Sequence, residues 1–219
     1  MKNMKHILIF IACLLTLSSC SVTIPLQSNL SDQTMLLAEN KNIKANYTLV
    51  SKVPDGYLPY VAVQKNGTET PNNSFYIYAS ETAFKKIWSS YFSGKFNNYA
   101  KDQMDVTVTL KELKLREQAA TSVGMTMLTG NSTVNVEAAV TVHVIVDYHS
   151  KRYENQFEVT ASDYNESQQM AYGTYYYTVN QTNPTQQKSK LLESSMNKSI
   201  IQFENFLRSI MLLDKEGKQ

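Results

Sequence analysis

Apolar and polar positions along the chain alternate between a period of two and a period of 3.6, and the switches between them mark the elements. Runs of β-type residues over 47–53 and 60–64 flank the turn signal Pro54-Asp55-Gly56, and a further strand is predicted over 75–79. Ser80 then stands where a helix N-cap belongs. Phe84, Ile87, Trp88, Tyr91 and Phe92 recur at i, i+3, i+4, i+7 and i+8, which is one apolar helical face, and Gly94 is placed to end or loosen that helix. Over 104–117 the pattern returns to a period of two. Val106, Val108 and Leu110 share one parity and Leu113 and Leu115 the other, so a bulge near Lys111-Glu112 is predicted, because one inserted residue returns both sets to the same face.

Residues 119–133 read as a loop, apolar around Met125, Met127 and Leu128. A second long strand is predicted over 134–148, with Val140, Val142, Val144 and Val146 on one face. His149-Ser150-Lys151 turns the chain into a third strand, in which Tyr153, Phe157, Val159 and Ala161 alternate with polar residues. The segment 163–183 is expected to be a long polar loop bearing Tyr164, Tyr172, Tyr175, Tyr176 and Tyr177. Asn183-Pro184 supplies a cap followed by proline at the first helical position, with Gln186 placed for a capping box. The last helix carries Leu192, Met196, Ile200, Phe203, Leu207, Ile210 and Met211 as a stripe to be buried against a sheet. The expected fold is α+β, an antiparallel sheet with two amphipathic helices packed on one face.

The first twenty residues follow a different logic. Lys2, Lys5 and His6 precede an apolar run over 7–15, then Leu17-Ser18-Ser19-Cys20. A positive start, a short apolar middle and small residues before a cut describe an export signal, and the run is about half of what a membrane span needs. Leu17-Ser18-Ser19-Cys20 resembles the bacterial lipobox. The resemblance implies cleavage between Ser19 and Cys20 and a diacylglycerol on the Cys20 thiol. The expected organisation is a signal over 1–19, a lipidated cysteine and polar tether over 20–45, one α+β domain over 46–213 and a tail over 214–219.

Composition and charge are consistent with this division. The only other cysteine, Cys13, lies within the signal, so the mature chain can form no internal disulfide. Loss of Lys2 and Lys5 leaves 19 basic against 19 acidic side chains, so the formal charge of +2 belongs to the signal. A neutral domain gives no electrostatic case for nucleic acid. Ser21-Val22-Thr23-Ile24-Pro25 carries neither an aspartate after the cysteine nor an acidic run, which favours an outer membrane, on its periplasmic face.

Candidate chemistry is sparse. No Gly-x-Ser-x-Gly elbow or phosphate-binding glycine loop occurs, and no cofactor is indicated. His143 and Asp147 share a strand face but stand roughly 13 Å apart in an extended strand, too far to chelate one metal. Glu154 and Glu158 read as solvated strand residues. Two interaction surfaces rise above this background: the tyrosine-rich segment, and the apolar 123–128 segment. The tyrosines could stack on sugars or meet a protein.

The order of lipobox, linker, strand, amphipathic helix, long hairpin and terminal amphipathic helix resembles small envelope lipoproteins of the YajG, LptE and ABC-transport-auxiliary type. The resemblance covers about residues 60–212, through the helix around Trp88, the strand over 105–115, the hairpin over 138–161 and the last helix. It implies a non-catalytic accessory role at the outer membrane, in assembly or lipid transport, with a protein partner in the envelope. Glycan or peptidoglycan binding or processing through the tyrosine-rich segment is the alternative.

Overall fold

The computed structural model describes residues 21–38, 44–72, 74–96, 103–119, 131–171, 174–177 and 183–216. The elements in chain order are β1 (Val22–Thr23), α1 (Asp32–Ala38), β2 (Lys44–Ser51), β3 (Gly56–Leu58), β4 (Tyr60–Val63), β5 (Glu69–Pro71), β6 (Tyr76–Tyr78) and α2 (Ser80–Lys95), followed by β7 (Gln103–Ala119), β8 (Asn131–Tyr148), β9 (Lys151–Ala171), β10 (Thr174–Tyr177) and α3 (Pro184–Glu216). The fold is α+β.

The large sheet runs β10-β9-β8-β7-β4-β5, with β2 also paired to β7. It is mixed rather than antiparallel. β2 and β4 both precede α2 and β7 follows it, so the helix is a crossover that returns the chain in the same direction, and both strands pair with β7 in parallel. They lie end to end along one edge of β7, β2 against 103–110 and β4 against 115–117. The register shift between Leu110 and Glu112 falls between them, at the bulge that the parity change predicts, and Leu110, Leu113 and Leu115 are all buried. The β8–β9 turn places His149 and Ser150 at φ 48° and 62°, which is the backbone of a two-residue hairpin turn.

Helices cover one face of this sheet, α3 across β8 and β9 and α2 across β2 and β7. Among the described residues they number three rather than the expected two, α1 packing on both of the others. The predicted apolar stripes are the core. Phe84, Ile87, Trp88, Tyr91 and Phe92 of α2 and Leu192, Met196, Ile200, Phe203, Leu207 and Ile210 of α3 are buried. Gly94 does not end α2. A side chain there would come 3.1 Å from Ala38 Cβ and 3.3 Å from its carbonyl oxygen, so glycine permits α1 to approach. At α3, Asn183 Oδ1 accepts from the Thr185 amide at 3.1 Å, ahead of Pro184 at the first helical position.

The cap on α2 differs from the expected one. Ser80 is the first helical residue, buried, with its Oγ unpartnered. The Asp55 carboxylate does the capping from the turn before β3, accepting from the Thr82 amide at 3.0 Å and from the Thr82 hydroxyl. Partial burial works against ionisation of Asp55. The Thr82 and Glu81 hydrogen bonds and the Lys85 charge outweigh it, so its carboxyl lies below the ordinary range. Asp55→Ala is therefore expected to cost about 1 kcal/mol at neutral pH, the usual worth of a cap. A depressed carboxyl stabilises above its unfolded pKa and loses that contribution as pH falls through the folded value. Urea unfolding of wild type and variant should converge as pH falls below the ordinary carboxylate range.

The segment expected to be a tether is largely part of the body. β1 pairs in parallel with β6, which pairs with β3, forming a second, three-stranded sheet. Ile24 and Ala38 are buried in the common core. Residues 25–31 lie along one stripe of α3. Ser189 Oγ donates to the Pro25 carbonyl at 2.6 Å, and Glu193 Oε1 accepts from the Asn29 amide at 2.8 Å. Asn197 completes the stripe, accepting from the Ser31 amide at 2.8 Å and donating to the Asn29 carbonyl at 3.0 Å.

Candidate functional site

The sheet face away from the helices is polar and open, and it is organised around Arg116. Its Nε lies 2.6 Å from Glu69, its guanidinium nitrogens lie 2.6 Å from Glu158 and 3.6 Å from Glu137, and Lys114 sits 2.8 Å from Glu69 and 3.1 Å from Glu112. The alternation that buries Leu113 and Leu115 on one side of β7 sends Lys114 and Arg116 to the other. The Lys114 hydrogen bond, against some burial and with the Arg116 charge, holds the Glu69 carboxyl below its usual range. Paired in this way, a carboxylate is stabilised as an acceptor and not as the proton-holding acid of a hydrolase. Arg116, Glu137, Asn135 and Ser162 line a depression of about 250 Å³ beside the network.

The outer edge of β9 is a second feature. β8 occupies one edge of β9 over 151–169, and β10 takes the other edge only at 168–171. Over 151–167, no described strand pairs with that outer edge. The exposed side chains along it are Lys151, Arg152, Glu154, Asn155, Gln156 and Glu158, interleaved with half-buried Tyr153 and Phe157. Lys198 of α3 donates to the Thr160 carbonyl at 3.3 Å. An open edge presents amides and carbonyls that an added extended chain can pair with.

The residues singled out from sequence are distributed as follows. Tyr175, Tyr176 and Tyr177 are not in a loop. They lie on β10, opposite Met170, Gln169 and Gln168, so the 163–183 segment is largely a β9–β10 hairpin whose polar residues are held by backbone pairing. Cys20, Ser19, Tyr172, Met125, Met127 and Leu128 lie outside the described residues. His143 Nε2 lies 2.6 Å from Glu154 across the hairpin, and His149 Nδ1 lies 3.1 Å from Asp214 while its ring stacks on Tyr148. Glu154 thus has a cross-strand hydrogen-bond partner in His143, and Glu158 an ion-pair partner in Arg116, as well as being solvated. Among the described residues no group of three or more His, Cys, Asp or Glu could hold a metal ion, and no helix is long and apolar enough to cross a membrane.

Sequence reading missed the exposed apolar side of the small sheet, formed by Tyr57, Phe75 and Ile77. Tyr57 pairs with Ile77 across β3 and β6, and its ring lies 6.1 Å from that of Phe75. The signal was present. Phe75-Tyr76-Ile77-Tyr78 is apolar at both parities, which is more than a one-sided strand needs.

No family model matches the chain, and no curated protein matches its sequence. It is similar to the crystal structure of a Xanthomonas campestris protein of the family designated DUF330, at 8% identity and TM-score 0.46, over 90% of this chain and 99% of that one. A second crystal structure, described only as an uncharacterized protein, is 10% identical, with TM-score 0.39 over 85% of this chain and 97% of that chain.

Proposed function

We propose that this chain is a lipid-anchored bacterial envelope protein that binds a protein partner and catalyses no reaction. In this reading Cys20 holds it to the periplasmic face of an outer membrane, and it acts as an accessory in assembly or lipid transport. The observation that carries the partner reading is the outer edge of β9 over 151–167, with which no described strand pairs, flanked by a charged, solvated sheet face. A partner supplying an extended segment would extend the seven-stranded sheet by one strand. Backbone hydrogen bonds would give affinity, and the alternating Tyr153, Asn155 and Phe157 side and Arg152, Glu154 and Gln156 side would give selectivity.

Photo-crosslinking residues at Lys151 and Asn155 test this in intact envelopes. The expected result is one adduct of defined mass from both positions and none from the same substituent at Lys65. Position-independent adducts, or none from β9 while the protein remains in the membrane, overturn the strand-addition reading. Retention on purified cell wall that is lost in Tyr175→Ala and Tyr176→Ala would instead assign the glycan-binding alternative.

A further inference from the structure

We infer that the outward face of the three-stranded sheet, centred on Tyr57, Phe75 and Ile77, rests on the lipid bilayer in which Cys20 is anchored. The inference relies on the reading of Cys20 as the lipid-bearing residue and deepens it. It replaces a domain held away from the membrane on a tether with one seated on it by a defined surface.

The first argument is exposure. Tyr57 is 54% exposed, Phe75 49% and Ile77 39%, while Leu58, Tyr76 and Tyr78 on the opposite side of the same strands are buried. The sheet therefore has two apolar faces, and among the described residues only one is covered by the protein core. A single exposed apolar residue needs no explanation, but three that adjoin across two paired strands mark a contact surface.

The second argument is the position of the anchor. Val22 pairs with Tyr76 in parallel, and its amide donates to the Phe75 carbonyl at 2.9 Å. Cys20 precedes Val22 by two residues. A chain advances at most about 3.6 Å per residue, so the Cys20 Cα lies within roughly 7 Å of the Val22 Cα. The acyl chains must therefore leave the molecule at the Phe75 end of this sheet. Because β1 and β6 are parallel, that end is fixed by the pairing and does not depend on loop conformation.

The third argument is the absence of slack. Ile24 is buried, its amide donates to the Ile77 carbonyl at 2.9 Å, and residues 25–31 are hydrogen-bonded along Ser189, Glu193 and Asn197 of α3. From Val22 onward the described chain is held to the body, so at most two residues separate the lipid from the sheet. Aromatic rings with apolar bodies suit the boundary between headgroups and acyl chains, with the Tyr57 hydroxyl able to remain at the polar level. The three side chains are uncharged, so contact should not require anionic lipid.

The mature chain has no cysteine besides acylated Cys20, so one added cysteine can be labelled uniquely. Lipidated Phe75→Cys, Ile77→Cys and, as control, Glu158→Cys proteins carrying a nitrobenzoxadiazole fluorophore would be reconstituted in phosphatidylcholine vesicles, with and without phosphatidylglycerol. Quenching by lipid-borne shallow nitroxides is expected to be at least twofold stronger at positions 75 and 77 than at 158, and similar in both vesicle types. Emission of buried Trp88 verifies that each labelled protein is folded. Water-like emission at 75 and 77 in protein that floats with the vesicles overturns the seated geometry while leaving the lipid anchor intact. Failure of the wild-type protein to float or to incorporate fatty acid overturns the anchor itself. Probes shielded in cells but water-exposed on vesicles would assign the face to a protein and also overturn the proposal.

Discussion

Lys95→Met is expected to destabilise the domain by about 3–5 kcal/mol, the cost of leaving a buried carboxylate without its cation. Lys95 Nζ lies 2.8 Å from Glu204 Oε1 and donates to the Leu37 carbonyl at 3.2 Å, while the Tyr91 hydroxyl donates to the same Glu204 oxygen. Lys95, Glu204 and Tyr91 are all buried. The cluster joins α1 through Leu37, α2 through Tyr91 and Lys95, and α3 through Glu204, so it lies where the three helices meet. With Lys95 gone, the described hydrogen-bond partner left to Glu204 is a neutral phenol, too little to offset desolvation of a charge. Lys95→Met combined with Glu204→Leu is expected to recover most of the loss, since a buried pair replaced by apolar side chains is often neutral. Urea unfolding followed by circular dichroism checks both. A single variant costing under about 1 kcal/mol, the range of exposed pairs, would mean the cluster is solvated in solution.

The parts of this fold that were legible in the sequence are those in which a local pattern and a tertiary demand coincide. The parity change at Lys111-Glu112 revealed the bulge because both halves of β7 must bury leucine on the same face. The α2 and α3 stripes were legible because each is long enough for a 3.6 period to repeat. β1 is two residues and α1 is seven, too short for a period to show; β1 exists through pairing with β6 and α1 through packing on the two long helices, while Ser189, Glu193 and Asn197 hold the segment between them. Those three polar residues are spaced by four and form their own stripe on α3, beside the apolar one. A reading that seeks only apolar recurrence passes over it. The far part of β9 reads as a loop in sequence because the strand there is stabilised by backbone pairing to β8 and β10, to which side-chain alternation contributes little. The mixed sheet follows from connectivity, which an alternating pattern does not encode.

The candidate surfaces divide in the same way. The lipobox is a linear signal and is legible without any fold. The outer β9 edge is a property of topology. The Tyr57–Phe75–Ile77 face is intermediate, since the excess of apolar residues is visible in sequence but the side left uncovered is decided by how β6 pairs with β1 and β3.

Phe203→Ala tests whether α3 is an integral part of the core or a strap laid over it. Phe203 is buried, with ring centroids 5.6 Å from Trp88, 5.7 Å from Phe92 and 6.1 Å from Tyr91, so it is the side chain through which α3 grips the aromatic face of α2. Truncation removes one buried ring and the edge-on contacts of three others, for an expected loss of about 3–5 kcal/mol. Phe203→Leu, which keeps most of the volume, is expected to cost about 1 kcal/mol. Trp88 is the only tryptophan, so its emission reports this site directly. A cavity lined by the rings of Trp88, Tyr91 and Phe92 would be largely apolar and should stay dry, so the native emission maximum should remain blue while the unfolding midpoint falls. A red shift in advance of the main transition would show instead that α3 detaches first. In that case the N-terminal segment held along Ser189, Glu193 and Asn197 would be freed with it, and the short attachment to Cys20 would lengthen into a tether.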